Sequence, residues 1–301
     1  MELDKIITGD SAVVLQSFPP DCIDLTVTSP PYDNLRTYNG FTFDFETIAR
    51  QLFRVTKAGG VVVWVVGDAT IKGSETLTSF RQAIRFQEIG FNVETMIYEK
   101  TQGGAVGSNY YYWQVFEYMF ILSKGQPKTH NLIKDKKNVK AGTKMSTSPK
   151  NESLGIRGGT QRGDIRVSEF GTRTNIWYYH TGSNGGDITS HPAPFPEKLA
   201  QDHILSWSNE GDIVLDCFTG SGTTLKMAKM LNRHFLGIEI SPEYVTLAEK
   251  RLLATPVPLF GQGRGLTLPA PDGGDSAPSQ SLSTPDMFSA IEHEPTPAPR
   301  R

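Results

Sequence analysis

The chain has 301 residues, 38% hydrophobic and 21% charged, a length and balance that fit a globular protein with a sizeable core. No apolar run is as long as a membrane span, the start Met1-Glu-Leu-Asp-Lys5 lacks a charged-then-apolar leader, and two cysteines, Cys22 and Cys217, exclude a disulfide framework or a zinc cage, so a soluble, cytoplasmic protein without bound metal is expected. The net charge of -2 argues against a uniformly polyanion-binding surface, but it hides a strong local asymmetry.

Ile6-Ile7-Thr8-Gly9-Asp10 reads as a short strand ending in a carboxylate, and Ser11 to Phe18 as a helix stopped by Pro19-Pro20. Asp24 to Thr28 is a second strand that runs directly into Ser29-Pro30-Pro31-Tyr32. The two prolines fix φ and remove backbone donors, so the segment leaves the sheet as a rigid, extended turn whose carbonyls are available to accept. A rigid acceptor beside an aromatic ring suits the holding of a planar base. Phe43 to Lys57 has helical spacing closed by Ala58-Gly59-Gly60, and Val61-Val-Val-Trp-Val-Val66 is the continuous apolar run of a strand buried on both faces. Ser79 to Ile89 reads as helix, and Asn92 to Tyr98 and Val115 to Leu122 as strands. This alternation predicts an α/β fold with a doubly wound, mostly parallel sheet.

From Ser123 to Asn175 the alternation stops. Twelve Lys or Arg stand there against four Asp or Glu, a local +8 that leaves -10 for the remainder. Basic, polar segments neutralise phosphates, and Lys136, Lys137, Arg157, Arg162 and Arg166 are the candidates for nucleic-acid contact; a solvated insertion is the alternative. After Asn175-Ile-Trp-Tyr-Tyr-His180 comes His191-Pro-Ala-Pro-Phe-Pro196, whose prolines shape the entry to a helix from Glu197 to Trp207. His191, a lone histidine before proline, is read as structural.

The most informative stretch follows. In Asp212-Ile-Val-Leu-Asp-Cys-Phe-Thr-Gly-Ser-Gly-Thr-Thr224 a strand ends at Asp216, a loop carries Gly220 and Gly222, and a helix runs on through Leu225 to Leu231. Such glycines admit a ligand close to the backbone, and the N–H groups opening the helix face it. A second apolar run, Phe235-Leu-Gly-Ile238, ends in Glu239, about twenty residues past the loop, where a ribose-binding carboxylate sits in a nucleoside site. Beyond Leu253 the composition shifts, with nine of the nineteen prolines between Pro256 and Pro299. A disordered tail is expected there, with Met287 to Ile291 as a short docking element.

Thr28-Ser29-Pro30-Pro31-Tyr32 resembles the catalytic motif of amino-methylating DNA methyltransferases, and Asp216-Cys-Phe-Thr-Gly-Ser-Gly222 resembles their S-adenosyl-L-methionine motif. With the catalytic motif first and the cofactor loop last, the order resembles the circularly permuted beta group, and the resemblance runs from about Lys5 to Leu253. It implies a Rossmann-like sheet of seven strands with an antiparallel hairpin at one edge. It also implies a catalytic half at 1–122, a target-recognition insert at 123–190, a cofactor half at 191–254 and a tail at 255–301. Ser29, Pro30, Pro31 and Tyr32 would be catalytic. S-adenosyl-L-methionine would lie against Asp10, Phe195, Asp216, Phe218, Gly220, Gly222, Thr223 and Glu239. The substrate would be double-stranded DNA with the target base flipped out, the partner a restriction endonuclease acting on the same site, and the enzyme a monomer or homodimer. Serine at position 29 favours cytosine N4 as the target, with adenine N6 as the alternative. Two other classes compete. An NAD-dependent oxidoreductase would use the loop and Glu239 but carries a third spaced glycine. A non-catalytic DNA-binding protein would use the basic insert and leave Ser29-Pro30-Pro31-Tyr32 without a role.

Overall fold

A computed structural model describes residues 1–31, 43–100, 110–144, 166–179 and 196–256. The first part of the chain forms β1 (Lys5–Thr8), α1 (Ser11–Val14), β2 (Ile23–Thr28), α2 (Phe45–Val55) and β3 (Thr56–Val66), then the short pair β4 (Thr70–Ile71) and β5 (Ser74–Glu75). There follow α3 (Thr78–Ile89), β6 (Asn92–Lys100), β7 (Phe116–Ser123), the ribbon strands β8 (Lys136–Lys137) and β9 (Phe170–Gly171), and β10 (Ile176–Tyr179). The last part forms α4 (Glu197–Trp207), β11 (Ile213–Asp216), α5 (Thr223–Met230), β12 (His234–Glu239) and α6 (Pro242–Ala254).

The main sheet has the order β1-β12-β11-β2-β3-β7-β6-β10, and among its described strands only β7 runs against its neighbours. It therefore has eight strands where seven were expected. The additional one, β10, pairs in parallel outside β6, so the antiparallel hairpin lies one strand in from the edge. Its four residues follow a long polar stretch, too short a run to show periodicity.

β3 explains the two-layered covering. Val61, Val63 and Val65 point into a core shared with Leu199 and Ile204 of α4, Leu225 and Ala228 of α5 and Leu252 of α6. Val62, Trp64 and Val66 point into a second core with Leu15, with Ile48 and Leu52 of α2 and with Phe86 of α3. Successive side chains of a strand face opposite ways, so a strand covered on both sides is apolar throughout. The Trp64 indole N–H donates to Gln82 Oε1 at 2.8 Å, which satisfies its one polar atom.

Helix α2 begins at Asp44, whose carboxylate accepts from Thr47 N at 3.1 Å, and it stops at Val55. Its end comes before the glycines expected to cap it. Thr56 is already extended, and Ala58, Gly59 and Gly60 fall within β3 where the pairing with β2 changes register. At Gly60 a Cβ would lie 2.9 Å from the Asp24 carbonyl and 2.8 Å from the Thr56 methyl, so the irregular stretch needs a glycine. The helix predicted over Ser11 to Phe18 is a single α turn followed by a 3-10 turn at Leu15–Ser17.

The basic stretch contributes a narrow ribbon, β8 against β9, extended by the bridge between Lys144 and Arg166. It is rooted at the carboxyl end of α4, where Asn131 N donates to the Ser206 carbonyl at 2.8 Å. Arg173 secures the other root, donating to Asp135 and, at 2.7 Å, to Asp202 on α4. Asp202 is buried and also accepts from Lys198 at 2.7 Å and from the Tyr179 hydroxyl at 3.0 Å. No described helix is long and apolar enough to cross a membrane.

Without the Asp202 carboxylate the buried Tyr179 hydroxyl loses that acceptor and Arg173 keeps only Asp135 of its two carboxylates, while the half-exposed Lys198 turns to water. Asp202→Ala is therefore expected to lower stability by roughly 1–3 kcal/mol, and Asp202→Asn by less. Urea unfolding followed by circular dichroism measures both.

Candidate active site

The parallel strands β1, β12, β11 and β2 bring their carboxyl ends side by side, and the polar residues predicted for the site follow from those ends. Glu239 closes β12. Its carboxylate accepts from Gly220 N at 2.8 Å and from Ser241 N at 2.9 Å, and its carbonyl accepts from Gly9 N at 2.9 Å. A carboxylate offers roughly four acceptor positions, so the two backbone donors leave capacity for the hydroxyls of a sugar.

Asp216 closes β11 and is buried. One of its oxygens accepts from the Thr28 hydroxyl at 2.7 Å and from Phe218 N at 3.1 Å. Burial above all pushes its carboxyl up to about 6; the charge of Glu239 adds to this, and the hydrogen bonds from Thr28 and Phe218 oppose it. The Thr224 hydroxyl, at the start of α5, donates to the Val27 carbonyl at 3.1 Å, and the Ser11 hydroxyl donates to the Cys217 carbonyl. The loop between β11 and α5 is thus fastened to β2 on one side and to α1 on the other.

Gly220 and Gly222 have φ of +50° and +80°, in the left-handed region. A Cβ on Gly222 would also stand 3.0 Å from the Ala248 Cβ, so this glycine lets α6 pack against the loop. Arg251 of α6 donates to the Ser221 carbonyl and the Thr223 hydroxyl, both at 3.1 Å, and pairs with Glu197 at the start of α4. Lys226 of α5 reaches the same carboxylate at 2.6 Å. Burial would raise the Glu197 carboxyl, but the two cations override it and hold the group below its ordinary value.

The structure thus brings Asp10, Asp216, Gly220, Gly222, Thr223 and Glu239 to the edge at which Ser29, Pro30 and Pro31 leave β2. Asp10 is exposed and accepts from Ala12 N at 2.8 Å, capping α1. The Phe218 ring packs edge-on against Phe43 and Trp64, so what this residue presents to the loop is its N–H. Tyr32, Phe195, Arg157, Arg162, His191, Met287 to Ile291 and the tail lie outside the described residues. Lys136, Lys137 and Arg166 are exposed on the ribbon, where Arg166 donates to the Gly142 carbonyl. Ser11, Glu197 and Arg251 were not anticipated as parts of the site, and Thr28 was read only as the first residue of its motif, without a role. Their partners are distant in sequence, and only the placing of Thr28 at a strand end next to Ser29 could have signalled one of them. Cys217 is buried, and burial raises its thiol well above the ordinary value, which removes it as a nucleophile. Among the described residues no group of three or more His, Cys, Asp or Glu could hold a metal ion.

A family model described as DNA methylase matches residues 23–250, a span from β2 into α6 that takes in the ends of β2, β11 and β12. The chain belongs to that family. The methylase is 56% identical over 238 residues to the orphan methyltransferase M.BamHII of Bacillus amyloliquefaciens, covering 77% of this chain and 89% of that protein. Among solved structures it is similar to a putative DNA modification methylase of Thermus thermophilus complexed with S-adenosyl-L-methionine, with a TM-score of 0.56, 27% identity and coverage of 86% and 96%. It shares its fold with the cytosine-N4-specific PvuII DNA methyltransferase, with a TM-score of 0.61, 21% identity and coverage of 85% and 89%. The methylase acts on DNA with S-adenosyl-L-methionine as its cofactor. The residues at the strand ends fit that molecule: open acceptor positions on Glu239 and a glycine loop whose backbone a ligand can approach.

The raised Asp216 carboxyl has a consequence for stability. Its folded value of about 6 lies above the ordinary 3.8, so between these values the folded state holds a proton that the unfolded state has lost. The stabilisation is full below about pH 4 and is lost as pH rises through about 6. The difference in unfolding free energy between the wild type and Asp216→Asn is expected to fall by on the order of 2–3 kcal/mol across that window and to stay level above it. Urea titrations of both proteins at a series of pH values measure this. The buried His203, which burial lowers to about 3, contributes the opposite slope to each protein and cancels in the difference.

Proposed function

We propose that the methylase is a site-specific enzyme that transfers the methyl group to the exocyclic amine of a flipped-out base in duplex DNA, and that the base is cytosine, methylated at N4. The supporting observation is the hydrogen bond from Thr28 to Asp216, which holds the start of Ser29-Pro30-Pro31-Tyr32 next to the glycine loop.

A base amine is a poor nucleophile because its lone pair is delocalised into the ring. Hydrogen bonds from the amine to the Ser29 side chain and the Pro30 carbonyl localise that pair and fix its direction, and Tyr32 stacks on the base. Pro31 keeps the turn rigid. When bound, S-adenosyl-L-methionine supplies a methyl group activated by its sulfonium. Glu239 accepts from the ribose hydroxyls, and Gly220 and Gly222 let the backbone come close. Asp10, Asp216, Phe195, Phe218 and Thr223 complete the cofactor contacts. Positioning and electrostatics supply the catalysis, and no covalent enzyme intermediate is required. Lys136, Lys137 and Arg166, with Arg157 and Arg162, neutralise DNA phosphates.

The resemblance of Ser29-Pro30-Pro31-Tyr32 to the motif of cytosine-N4 enzymes favours that base, and adenine N6 is the alternative target. The relative M.BamHII is an orphan methyltransferase, which supports action without a partner; a restriction endonuclease with the same site is the alternative.

Unmodified DNA incubated with labelled S-adenosyl-L-methionine, digested to nucleosides and analysed by mass spectrometry is expected to carry N4-methylcytosine. Label in N6-methyladenine would move the base assignment and keep the mechanism, whereas unlabelled DNA would sink the proposal. Ser29→Ala is expected to lower kcat by about 100-fold at unchanged cofactor Kd. Glu239→Gln is expected to weaken cofactor binding by about 10-fold or more, as read by calorimetry.

A further inference from the structure

The corner of the sheet where β7 enters carries a surface that the catalytic scheme leaves unused. There the Val115 carbonyl accepts from Lys100 N at 2.8 Å, Phe116 faces Glu99 at the end of β6, and Tyr118 faces Val66 at the end of β3. The four residues that lead into this anchor, Tyr110-Tyr111-Tyr112-Trp113, are 89%, 67%, 102% and 68% exposed. In the core the large rings pack against one another, as Trp64 does with Phe86. A single exposed ring needs no explanation, but four in succession form a patch of the kind that marks a binding surface.

Its position indicates what binds. β7 lies two places from β2 in the sheet order, about 10 Å to its side, and the pairing of Thr28 with Trp64 and of Trp64 with Phe120 puts Phe116, and the run before it, further out than Thr28 on the edge from which Ser29 leaves. Duplex DNA that delivers a base to Ser29 lies across this edge. Extruding that base leaves its neighbours unstacked on one side.

Charge indicates how it binds. Among the described residues, Lys100 at the end of β6 is held by Glu117, and Asp68 and Glu75 stand near Tyr118. Such a corner repels phosphates. Aromatic faces bind bases instead, whatever the sequence.

We propose that Tyr112 and Trp113 stack on the bases beside the extruded nucleotide, an inference that rests on the DNA-methylating reading above. Trp113→Ala and Tyr112→Ala are compared with the wild type for kcat/KM on unmodified DNA at several salt concentrations, with Trp113→Phe as the conservative variant. Each alanine variant is expected to lose about 10- to 100-fold, and Trp113→Phe to retain most activity. Cofactor Kd, Tm and the salt slope are expected to stay unchanged, whereas Lys136→Ala is expected to flatten that slope. Emission from Trp113, which is far more exposed than the buried Trp64 and Trp177, is expected to be quenched when DNA binds.

Alanine variants as active as a wild type that labels DNA would overturn this inference alone. So would a flattened salt slope in those variants, which marks phosphate contact, or a parallel loss of Tm, which marks packing. Alanine variants that keep their activity but change the oligomeric state in sedimentation would assign the surface to a second protein copy. A wild type that leaves DNA unlabelled would overturn the function together with this inference.

Discussion

The site depends on two strands, far apart in the chain, lying side by side. β2 and β11 pair in parallel, and at their ends the Thr28 hydroxyl donates to Asp216 across 188 residues of sequence. The bond is buried, so water does not compete for either group. Ser29 follows directly from one partner and Cys217 from the other. What comes after each is loop, and loop alone cannot hold two groups at a set distance. The bond from Thr224 to the Val27 carbonyl repeats the fastening one turn away, from the helix that the glycine loop opens. Pairing, hydrogen bond and helix start therefore define one rigid corner.

That corner carries an electrostatic tension. Two carboxylates, Asp216 and Glu239, end neighbouring strands, and the charge of Glu239 makes ionisation of Asp216 harder. The fold distributes backbone and hydroxyl donors between them: Thr28 and Phe218 to one, Gly220 and Ser241 to the other. Asp216 nevertheless remains displaced upward by burial. Behind the loop the balance is reversed: Arg251 and Lys226 converge on Glu197, and Arg251 also steadies Ser221 and Thr223.

Much of this was legible in the sequence because it is written locally. The apolar run Val61 to Val66 could only be a strand covered on both faces, and α4 runs over Glu197–Trp207 as its prolines and first-turn acid indicate. Strand ends also advertise themselves: Asp10, Ser29, Asp216 and Glu239 each follow an apolar run. The eighth strand did not, because Ile176–Tyr179 is four residues long and follows a polar stretch. Nor did the early end of α2, where the register shift against β2 draws Ala58, Gly59 and Gly60 into a strand. The aromatic run at Tyr110 to Trp113 is plain in the sequence, but only its place in the sheet gives it meaning. Thr28, Glu197 and Arg251 act through partners that no local pattern encodes.

The pairing of β1 with β12 brings the first strand of the chain against its last. Asp4 reinforces this contact, accepting from Phe235 N at 3.0 Å and from the His234 ring at 2.9 Å. Helix α6 packs against both strands. The outer edge of the parallel half is thus held by residues from opposite ends of the described chain, so that fraying of Lys5–Thr8 would uncover the edge of β12, the strand that ends at Glu239.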